Sequence, residues 1–393
     1  MIQEYSHSKL CYRPSLQAIG RMEIYMRISI LTGRFGMGHL ITAEAMKEHI
    51  YKSGLDAEVE IIDWFEYISP RMAERYYGFF ELMVKKGFKI YNTRYRIMEN
   101  MKTDQKPELY RYFSRCFERY LEEKKSDLII STLPLCSQIV SFYKEKTGSS
   151  IPLITCVTDI TGHSEWINKN TDIYLVGSYT VREKFIKKGV LPSKIFVTGI
   201  PVRPEFIMSS QRMDNDVNKK ILIMGGGFGM LPIEHDFYQD LDNLPNVEFT
   251  VITGRNHSLY HSLRGKYRNI QVLGYVTNVF DYMAEVDAII TKPGGVTTFE
   301  AISAELPILA LNPLLQQEKY NAQFIQEMKI GTVINLEHRL TAATINEFLQ
   351  QDQLDFYKYH IQKIKNSLDI NLLYDILFEV CTMNCNNEDR DFA

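Results

Sequence analysis

Residues 291–321, TKPGGVTTFEAISAELPILALNPLLQQEKYN, combine the end of a strand, a glycine turn, a helix and a polar loop. The run at 287–290 is typical of a buried parallel strand, and the run at 308–311 predicts the next strand. Between them, the Pro-Gly-Gly turn at 293–295 ends the first strand and lets the backbone approach a ligand closely. We expect the helix to begin at about Thr297. This order of elements indicates an α/β fold with parallel sheets.

A glycine turn that leads from a strand into a helix is a favourable place for an anion. The predicted helix after Gly294 and Gly295 directs its free N–H groups and the positive end of its dipole toward the turn, and Thr298 adds a hydroxyl there. Glu300, which we place in the first turn, repels phosphate but suits a ribose diol, as acidic side chains do in dinucleotide folds. Its alternative role is to complement the helix dipole, and the stretch alone favours neither role.

A second glycine-rich turn, TGRFGMGH at 32–39, joins the first predicted strand to an amphipathic helix predicted from Ile41. It has the position of a dinucleotide fingerprint, although Gly36 and Gly38 do not have the fingerprint's spacing. His39 lies at the mouth of this turn, where its imidazole can meet a substrate and change protonation near neutral pH. The alternative is a buried or helix-capping histidine.

A third candidate region is TDITGHSEW at 158–166, which follows a predicted strand. Open α/β sheets place their chemistry at the carboxyl ends of strands. Asp159 could therefore orient His39 or contact an acceptor, and the sequence leaves both roles open. His163 could equally be an ordinary loop residue, and Trp166 ends the segment.

The chain from residue 221 repeats the same alternation of strands, glycine turns and helices. The turn GGGFG at 225–229, centred on Gly227, is a second backbone nest for phosphate or a point of close contact between domains. Arg255 lies just beyond the next predicted strand, and Val276 ends the one after it. The polar segment 209–220 predicts a linker between two domains.

Composition limits the classes of function. Hydrophobic residues make up 45% and charged residues 24% of the 393 residues, and the formal net charge of −3 gives no reason to expect a nucleic-acid partner. Six scattered cysteines favour a reducing cytoplasm, and no spacing of histidine, cysteine or carboxylate predicts a metal site. Because no apolar run reaches the length of a membrane span, any membrane contact should be peripheral.

The segment 64–101 mixes aromatic rings with lysine and arginine. Such a mixture suits an interfacial segment, because rings lie at the level of lipid headgroups and cations meet anionic lipid. The alternative is a pair of ordinary helices with a basic solvated face, which the residues alone favour. The aromatic residues are Trp64, Phe65, Tyr67, Tyr76, Tyr77, Phe79, Phe80, Phe88, Tyr91 and Tyr95.

Several motifs together resemble one glycosyltransferase family. They are KPGG, T-x-x-E at Thr297 and Glu300, Q-E-x-x-N at Gln317, Glu318 and Asn321, G-x-G-H at 36–39, T-D…H…W at 158–166 and GIPVRP at 199–204. The family contains the processive diacylglycerol β-glucosyltransferases, the plant monogalactosyldiacylglycerol synthases and, more distantly, the peptidoglycan enzyme that adds N-acetylglucosamine to lipid I. The resemblance covers about residues 26–380 and is strongest to the glucosyltransferase branch.

The resemblance implies two Rossmann-like α/β domains that face each other across a cleft, the GT-B type of glycosyltransferase. We expect an acceptor- and membrane-binding domain at 26–208, a linker at 209–220 and a UDP-sugar-binding domain at 221–352. Terminal helices at 353–380 should cross back to the first domain. We also expect a disordered extension at 1–25 and a frayed tail at 381–393.

The implied reaction is inverting transfer of a hexose, glucose in the most similar branch, from a UDP-sugar to diacylglycerol or a glycosyl-diacylglycerol, without a cofactor. His39 is the expected base, or else a group that orients the acceptor, with Asp159 beside it, and Gly36, Gly38, His163 and Trp166 border the acceptor. The aromatic-basic segment would contact an anionic membrane at the cytoplasmic face. The expected donor-binding residues are Gly227, Arg255, Val276, Gly294, Gly295, Thr297, Thr298, Glu300, Gln317, Glu318 and Asn321, with Val276 at the uracil, Glu300 at the ribose and Gln317 and Glu318 at the sugar.

The chain also departs from the family pattern. Gln316 precedes Gln317 where the glucosyltransferases usually have glycine, and a double glutamine is also the arrangement of the N-acetylglucosamine enzyme. Galactose or N-acetylglucosamine as the sugar, or another lipid as the acceptor, are therefore open alternatives. An enzyme like UDP-N-acetylglucosamine 2-epimerase and a UDP-sugar-binding sensor are the alternatives from other classes.

Overall fold

The computed structural model describes residues 25–101, 103–104, 106, 109–208, 218–334, 342–368 and 370–388. The predicted extension, except for Tyr25, lies outside these residues. So do 209–217 of the predicted linker and the last five residues of the chain.

The first half of the chain builds a six-stranded parallel sheet in the order β2-β1-β3-β4-β5-β6. Its strands are β1 (Met26–Thr32), β2 (Ala57–Asp63), β3 (Leu128–Ser131), β4 (Leu153–Cys156), β5 (Ile173–Val176) and β6 (Ile195–Val197). Ile30 in β1 pairs with Ile61 on one side and Ile130 on the other. Such near-continuous apolar runs form strands that are buried on both faces by helices.

The helices of the first half cover this sheet, and four of them (α2–α5) are inserted between β2 and β3. They are α1 (Met37–Lys52), α2 (Trp64–Ile68), α3 (Pro70–Lys86), α4 (Phe88–Glu99), α5 (Tyr110–Lys124), α6 (Pro134–Thr147), α7 (Tyr179–Lys187) and α8 (Glu205–Met208). A 3₁₀ turn at Ser164–Trp166 follows the loop that carries Asp159.

The second half builds another six-stranded parallel sheet in the order β12-β11-β10-β7-β8-β9. Its strands are β7 (Lys219–Met224), β8 (Val247–Ile252), β9 (Ile270–Leu273), β10 (Ala288–Thr291), β11 (Ile308–Ala310) and β12 (Gly331–Val333). The sequence did not predict β12. It is short and begins at Gly331, where the carbonyl of Ile308 occupies the space of a Cβ.

Eight helices accompany the second sheet and the end of the described chain. They are α9 (His235–Asp242), α10 (His257–Leu263), α11 (Val279–Ala284), α12 (Gly295–Ser303), α13 (Gln316–Glu327), α14 (Ala342–Phe348), α15 (Gln351–Ser367) and α16 (Ile370–Glu388).

The last two helices contact different halves of the molecule. Ile361 and Ile364 of α15 pack in a cluster that includes Phe299 of α12. Leu373 of α16 packs with Ile28 of the first sheet. Helix α16 continues to Glu388 without a glycine or proline to interrupt it, so residues 381–388 of the predicted tail are helical.

The fold prediction of two Rossmann-like domains is confirmed. Each domain is a three-layer α/β unit with a parallel sheet between helices, and glycine turns follow the central strands β1, β7 and β10 of the two sheets. These turns meet between the domains and define the candidate site.

Candidate active site

The first glycine turn places His39 inside helix α1 rather than before it. The helix begins at Met37, four residues earlier than we predicted from Ile41. Gly36 caps it with a backbone φ of 85°, a conformation that glycine adopts without strain. His39 therefore lies in the first helical turn, where its position is fixed by the helix backbone.

Two hydrogen bonds fix the imidazole of His39. Its Nδ1 lies 2.7 Å from the carbonyl oxygen of Thr132 and 3.0 Å from Oγ1 of Thr158. Because a carbonyl oxygen only accepts, Nδ1 carries the hydrogen and donates it to Thr132. Nε2 is then the nitrogen with the free lone pair, which is the form a general base requires.

Asp159 lies near both His39 and Trp166. Trp166 hydrogen-bonds the Asp159 carboxyl, and the Trp166 ring lies 6.2 Å from the His39 ring between centroids. Burial lowers the pKa of His39 below its usual value, although the Asp159 charge and the bond to Thr132 act in the opposite direction. Burial also raises the pKa of Asp159, against the effect of the nearby histidines.

A cavity of about 140 Å³ joins residues from both domains at this point. His39 and Asp159 line it from the first domain, and Gln317 lines it from the second. The remaining walls are mostly aromatic or carboxylic, and they consist of Phe35, Phe80, Tyr91, Tyr95, Leu133, Pro134, His163, Glu165 and Trp166. The structure thus brings the candidate base and one candidate sugar-binding residue to the same space.

His163 has both ring nitrogens engaged by protein groups. Nε2 donates to the Tyr95 carbonyl at 3.0 Å, and Nδ1 accepts from the backbone N–H of Glu165 at 3.3 Å. Its side chain is 1% exposed. Although His163 lines the cavity, these contacts give it the role of joining the loop after β4 to helix α4.

The helix of the KPGG turn begins at Gly295, two residues earlier than we predicted. Thr298 donates its hydroxyl to the Gly294 carbonyl at 2.7 Å and stabilises the start of the helix. Glu300 therefore belongs to the second turn, and the prediction that it lies in the first turn is wrong. A dipole-complementing role for Glu300 is weakened accordingly, since that effect is confined to the first turn.

Glu300 is an almost completely buried carboxyl, with 4% of its surface exposed. Burial raises its pKa to about 7, and the positive charge of Arg203 opposes this effect only partly. Arg203 comes from the first domain and donates to the Thr277 carbonyl at 2.7 Å, next to Val276. Val276 itself is partly buried against the core of this region.

The segment after β11 is fixed by Glu318 and Asn321. The Glu318 carboxylate accepts from the Leu315 N–H at 3.3 Å and contacts Nζ of Lys292 at 3.2 Å. Each oxygen keeps a second lone pair that can accept another hydrogen bond. Asn321 donates to the Pro293 carbonyl at 2.9 Å and accepts from the Ile160 N–H at 3.3 Å, so it ties the KPGG turn to the Asp159 loop.

Lys292 is a candidate donor-site residue that we did not single out from the sequence. Its Cε lies 3.0 Å from the position that a Cβ on Gly226 would occupy, so the side chain covers the second glycine turn. The ammonium group of Lys292, which also pairs with Glu318, therefore lies between the glycine turn at 225–229 and the Pro-Gly-Gly turn at 293–295. The sequence signal was its position directly before the Pro-Gly-Gly turn.

Glycines allow close contact between the domains. A Cβ on Gly38 would lie 3.3 Å from Cγ2 of Val296, and one on Gly227 would overlap Met37. A Cβ on Gly295 would overlap the Thr158 carbonyl. The turn at 225–229 is therefore a point of domain contact, one of the two roles we considered for it.

Arg255 is exposed, and its guanidinium carbon lies 5.5 Å from the centre of the Tyr275 ring. Its backbone N–H donates to the Gly227 carbonyl at 3.0 Å. The contacts of Arg255 therefore support the second glycine turn and the end of β9, and none of them reaches the cavity around His39.

The aromatic-basic segment divides between core and surface. Trp64 is completely buried and Tyr95 is 8% exposed, so part of the aromatic set that we assigned to an interface packs inside. On the surface, helices α3 and α4 expose Phe79 and several aliphatic side chains. Cationic side chains such as Arg71, Lys89 and Arg94 are exposed on the same helices. The exposed apolar residues are Met72, Tyr76, Phe79, Leu82, Ile90, Ile97 and Met101. Within the described ranges, no helix is both long and apolar enough to cross a bilayer.

Comparison with known proteins identifies both halves. The model of monogalactosyldiacylglycerol synthase matches residues 39–202, and that of the C-terminal domain of glycosyltransferase family 28 matches 220–369, together about four fifths of the chain. The chain is a UDP-sugar glycosyltransferase. The glycosyltransferase is 28% identical to the processive diacylglycerol beta-glucosyltransferase of Bacillus subtilis (strain 168) over 372 residues, 91% of this chain and 96% of the relative.

Solved structures support the fold of this glycosyltransferase. MurG of Acinetobacter baumannii superposes with a TM-score of 0.57 at 15% identity, covering 90% of this chain and 99% of MurG. The UDP-GlcNAc 2-epimerase of Neisseria meningitidis, solved with UDP-GlcNAc, gives a TM-score of 0.55 at 15% identity and covers 91% and 99% of the two chains. At this level of identity both establish the GT-B fold alone.

Proposed function

We propose that this glycosyltransferase moves glucose from UDP-glucose to diacylglycerol or a glycosyl-diacylglycerol at a membrane surface. The single observation that carries the proposal is the cavity that joins His39 and Asp159 of the first domain to Gln317 of the second. A transferase needs a base for the acceptor hydroxyl within reach of the donor sugar. The name of the Bacillus subtilis relative supports glucose and diacylglycerol as the two substrates.

His39 would start the reaction by accepting the proton of the acceptor hydroxyl on Nε2. Its Nδ1–H already donates to Thr132, so the ring needs no change of tautomer before the proton arrives. The hydroxyl oxygen then attacks the anomeric carbon from the side opposite the diphosphate, and the product has inverted configuration. The Asp159 carboxylate would stabilise the imidazolium that forms.

The leaving UDP gains negative charge as the bond to the sugar breaks. The N-terminus of α12, with Thr297 and Thr298, and the second glycine turn would meet this charge. Lys292 would add a full positive charge between the two turns. Glu300 would accept from the ribose hydroxyls, and the backbone of Val276 would hold the uracil.

Helices α3 and α4 would bring the protein to its lipid acceptor. Phe79 and Ile90 are 63% and 67% exposed, and the exposed Arg71, Lys89 and Arg94 are available to anionic headgroups. An apolar surface bordered by cations suits peripheral contact with the cytoplasmic face of a membrane. We expect binding to anionic vesicles that weakens as salt concentration rises, and weaker binding for Phe79→Glu and Ile90→Glu.

The decisive experiment is sugar transfer to diacylglycerol in anionic micelles with UDP-glucose, UDP-galactose and UDP-N-acetylglucosamine as donors. Product from UDP-glucose alone, reduced by about a hundredfold or more in His39→Ala, supports donor, acceptor and base together. UDP binding by His39→Ala should match the wild type, because His39 lies in the first domain. The absence of any lipid product despite saturable UDP binding would refute the acceptor assignment.

A further inference from the structure

Helix α4 makes specific contacts with the second domain through Asn92. The Asn92 side chain donates from Nδ2 to the Leu314 carbonyl at 2.9 Å and accepts at Oδ1 from the Gln316 N–H at 2.7 Å. Asn92 is 8% exposed. A buried side chain of the first domain thus satisfies two backbone groups of the 314–318 segment of the second domain.

This pair of hydrogen bonds uses both ends of a carboxamide. One backbone group is an acceptor and the other a donor, and the Asn92 amide presents a donor and an acceptor side by side. Aspartate would keep the bond to Gln316 but lose the one to Leu314. Because the site is buried, losing Asn92 leaves two backbone groups without partners, which favours displacement of the segment.

Tyr91, the residue before Asn92, contacts the side chain of Gln317, the residue after Gln316. Its hydroxyl donates to Oε1 of Gln317 at 2.7 Å. With Oε1 occupied, the two N–H groups of the Gln317 amide are turned to other partners. Gln317 lines the cavity of His39, so these donors are available to a hydroxyl-rich ligand there.

We propose that Asn92 and Tyr91 are positioning residues for the donor sugar, so that the sugar-binding part of the donor site is complete only when the first domain contacts the second. The proposal rests on the role of the 314–318 segment in the proposed function. The nucleotide-binding groups, Glu300 and the start of α12, belong to the second domain. UDP alone should therefore bind without help from α4, whereas the glucosyl group should not.

The test compares the dissociation constants of UDP-glucose and UDP, measured by calorimetry on the full chain. For Asn92→Ala we expect about tenfold weaker binding of UDP-glucose and UDP binding within about twofold of the wild type. The matched control is Asn100→Ala, because Asn100 is an exposed asparagine that caps the end of the same helix and donates from its side chain to the Arg96 carbonyl. It should change neither constant.

Unchanged UDP-glucose binding in Asn92→Ala overturns the proposal, and so does an equal loss for UDP and UDP-glucose, which would mean general damage to the domain. Gln317→Ala distinguishes the positioning role of Asn92 from the donor-binding role of the 314–318 segment. If Gln317→Ala weakens UDP-glucose binding and Asn92→Ala does not, the positioning role is wrong. If Gln317→Ala has no effect, the donor role of the segment is wrong.

Tyr91→Phe gives a second measurement that removes only one oxygen atom. We expect a higher KM for UDP-glucose, nearly unchanged kcat and poorer discrimination between UDP-glucose and UDP-N-acetylglucosamine, because the Gln317 amide is free to rotate. A variant with wild-type KM and wild-type discrimination would overturn the role of Tyr91.

Discussion

Replacing Glu300 by glutamine should make the protein more stable above pH 7 and should weaken its binding of UDP. Glutamine has nearly the same shape but no charge, so the packing of α12 is kept. The effect on stability arises because the carboxyl has a pKa of about 7 in the folded protein and 4.5 as its ordinary value. The folded state therefore holds the proton more tightly than the unfolded chain does.

The sign follows from proton binding. Between pH 4.5 and 7 the folded protein binds more protons at Glu300 than the unfolded chain, so the free energy of unfolding falls as pH rises. A tenfold difference in proton affinity is worth about 1.4 kcal/mol, so the cost of burying the charge reaches about 3 kcal/mol at pH 8. Glu300→Gln avoids this cost, whereas below pH 4.5 the variant and the wild type should be equally stable.

Urea unfolding at several pH values measures the difference directly, and calorimetry with UDP measures the loss of function. Glu305→Gln is the control, since Glu305 follows the same helix. Burial alone would raise the pKa of Glu305, but hydrogen bonds from Lys365 and Gln362 outweigh it and the net shift is downward. This variant should therefore lose stability near neutral pH. A Glu300→Gln protein that is no more stable than wild type at pH 8 would refute the reasoning.

Three further changes test the site. Asp159→Asn should lower kcat and move the acidic limb of the kcat/KM profile to lower pH. The Asp159 charge raises the pKa of His39, so removing this charge lowers that pKa, and a shift of the limb to higher pH would contradict this. Lys292→Gln should weaken UDP binding about tenfold or more but leave uridine binding unchanged, whereas equal losses would exclude a contact with the diphosphate. Gly295→Ala should reduce transfer at least about tenfold, because its methyl group overlaps the Thr158 carbonyl; full activity would show that the domains need not approach this closely.

Most of the fold could be predicted because parallel strands are short apolar runs that end at glycine turns. The strands around Ile30 and Ile289 have this pattern, and both are completely buried. Strand β12 escaped prediction because it has three residues and starts with glycine. The starts of α1 and α12 were placed too late because glycine is a poor helix former. In both cases, a glycine inside the first turn lies at the contact with the other domain.

Site residues could be predicted when they lie within one sequence motif. Contacts between residues that are distant in sequence could not. His39 and Asp159 follow strand ends and could be selected on that basis. Asn92 contacts Gln316 across 224 positions, and Lys292 contacts Glu318 across 26. A single sequence contains no signal for such pairs. The sequence also could not show that Glu318 is tied to Lys292 or that His163 has both nitrogens engaged.

The contacts of Gly38 with Val296, Gly227 with Met37 and Gly295 with Thr158 also limit how hybrid enzymes can be built from this chain and its relatives. An engineer who joins the first domain of one relative to the second domain of another transplants only one half of each contact. A larger residue on either side would keep the two halves apart, although each would fold normally. Such chimeras should succeed when both parent enzymes have the same residues at these three pairs, whichever sugar the second domain selects.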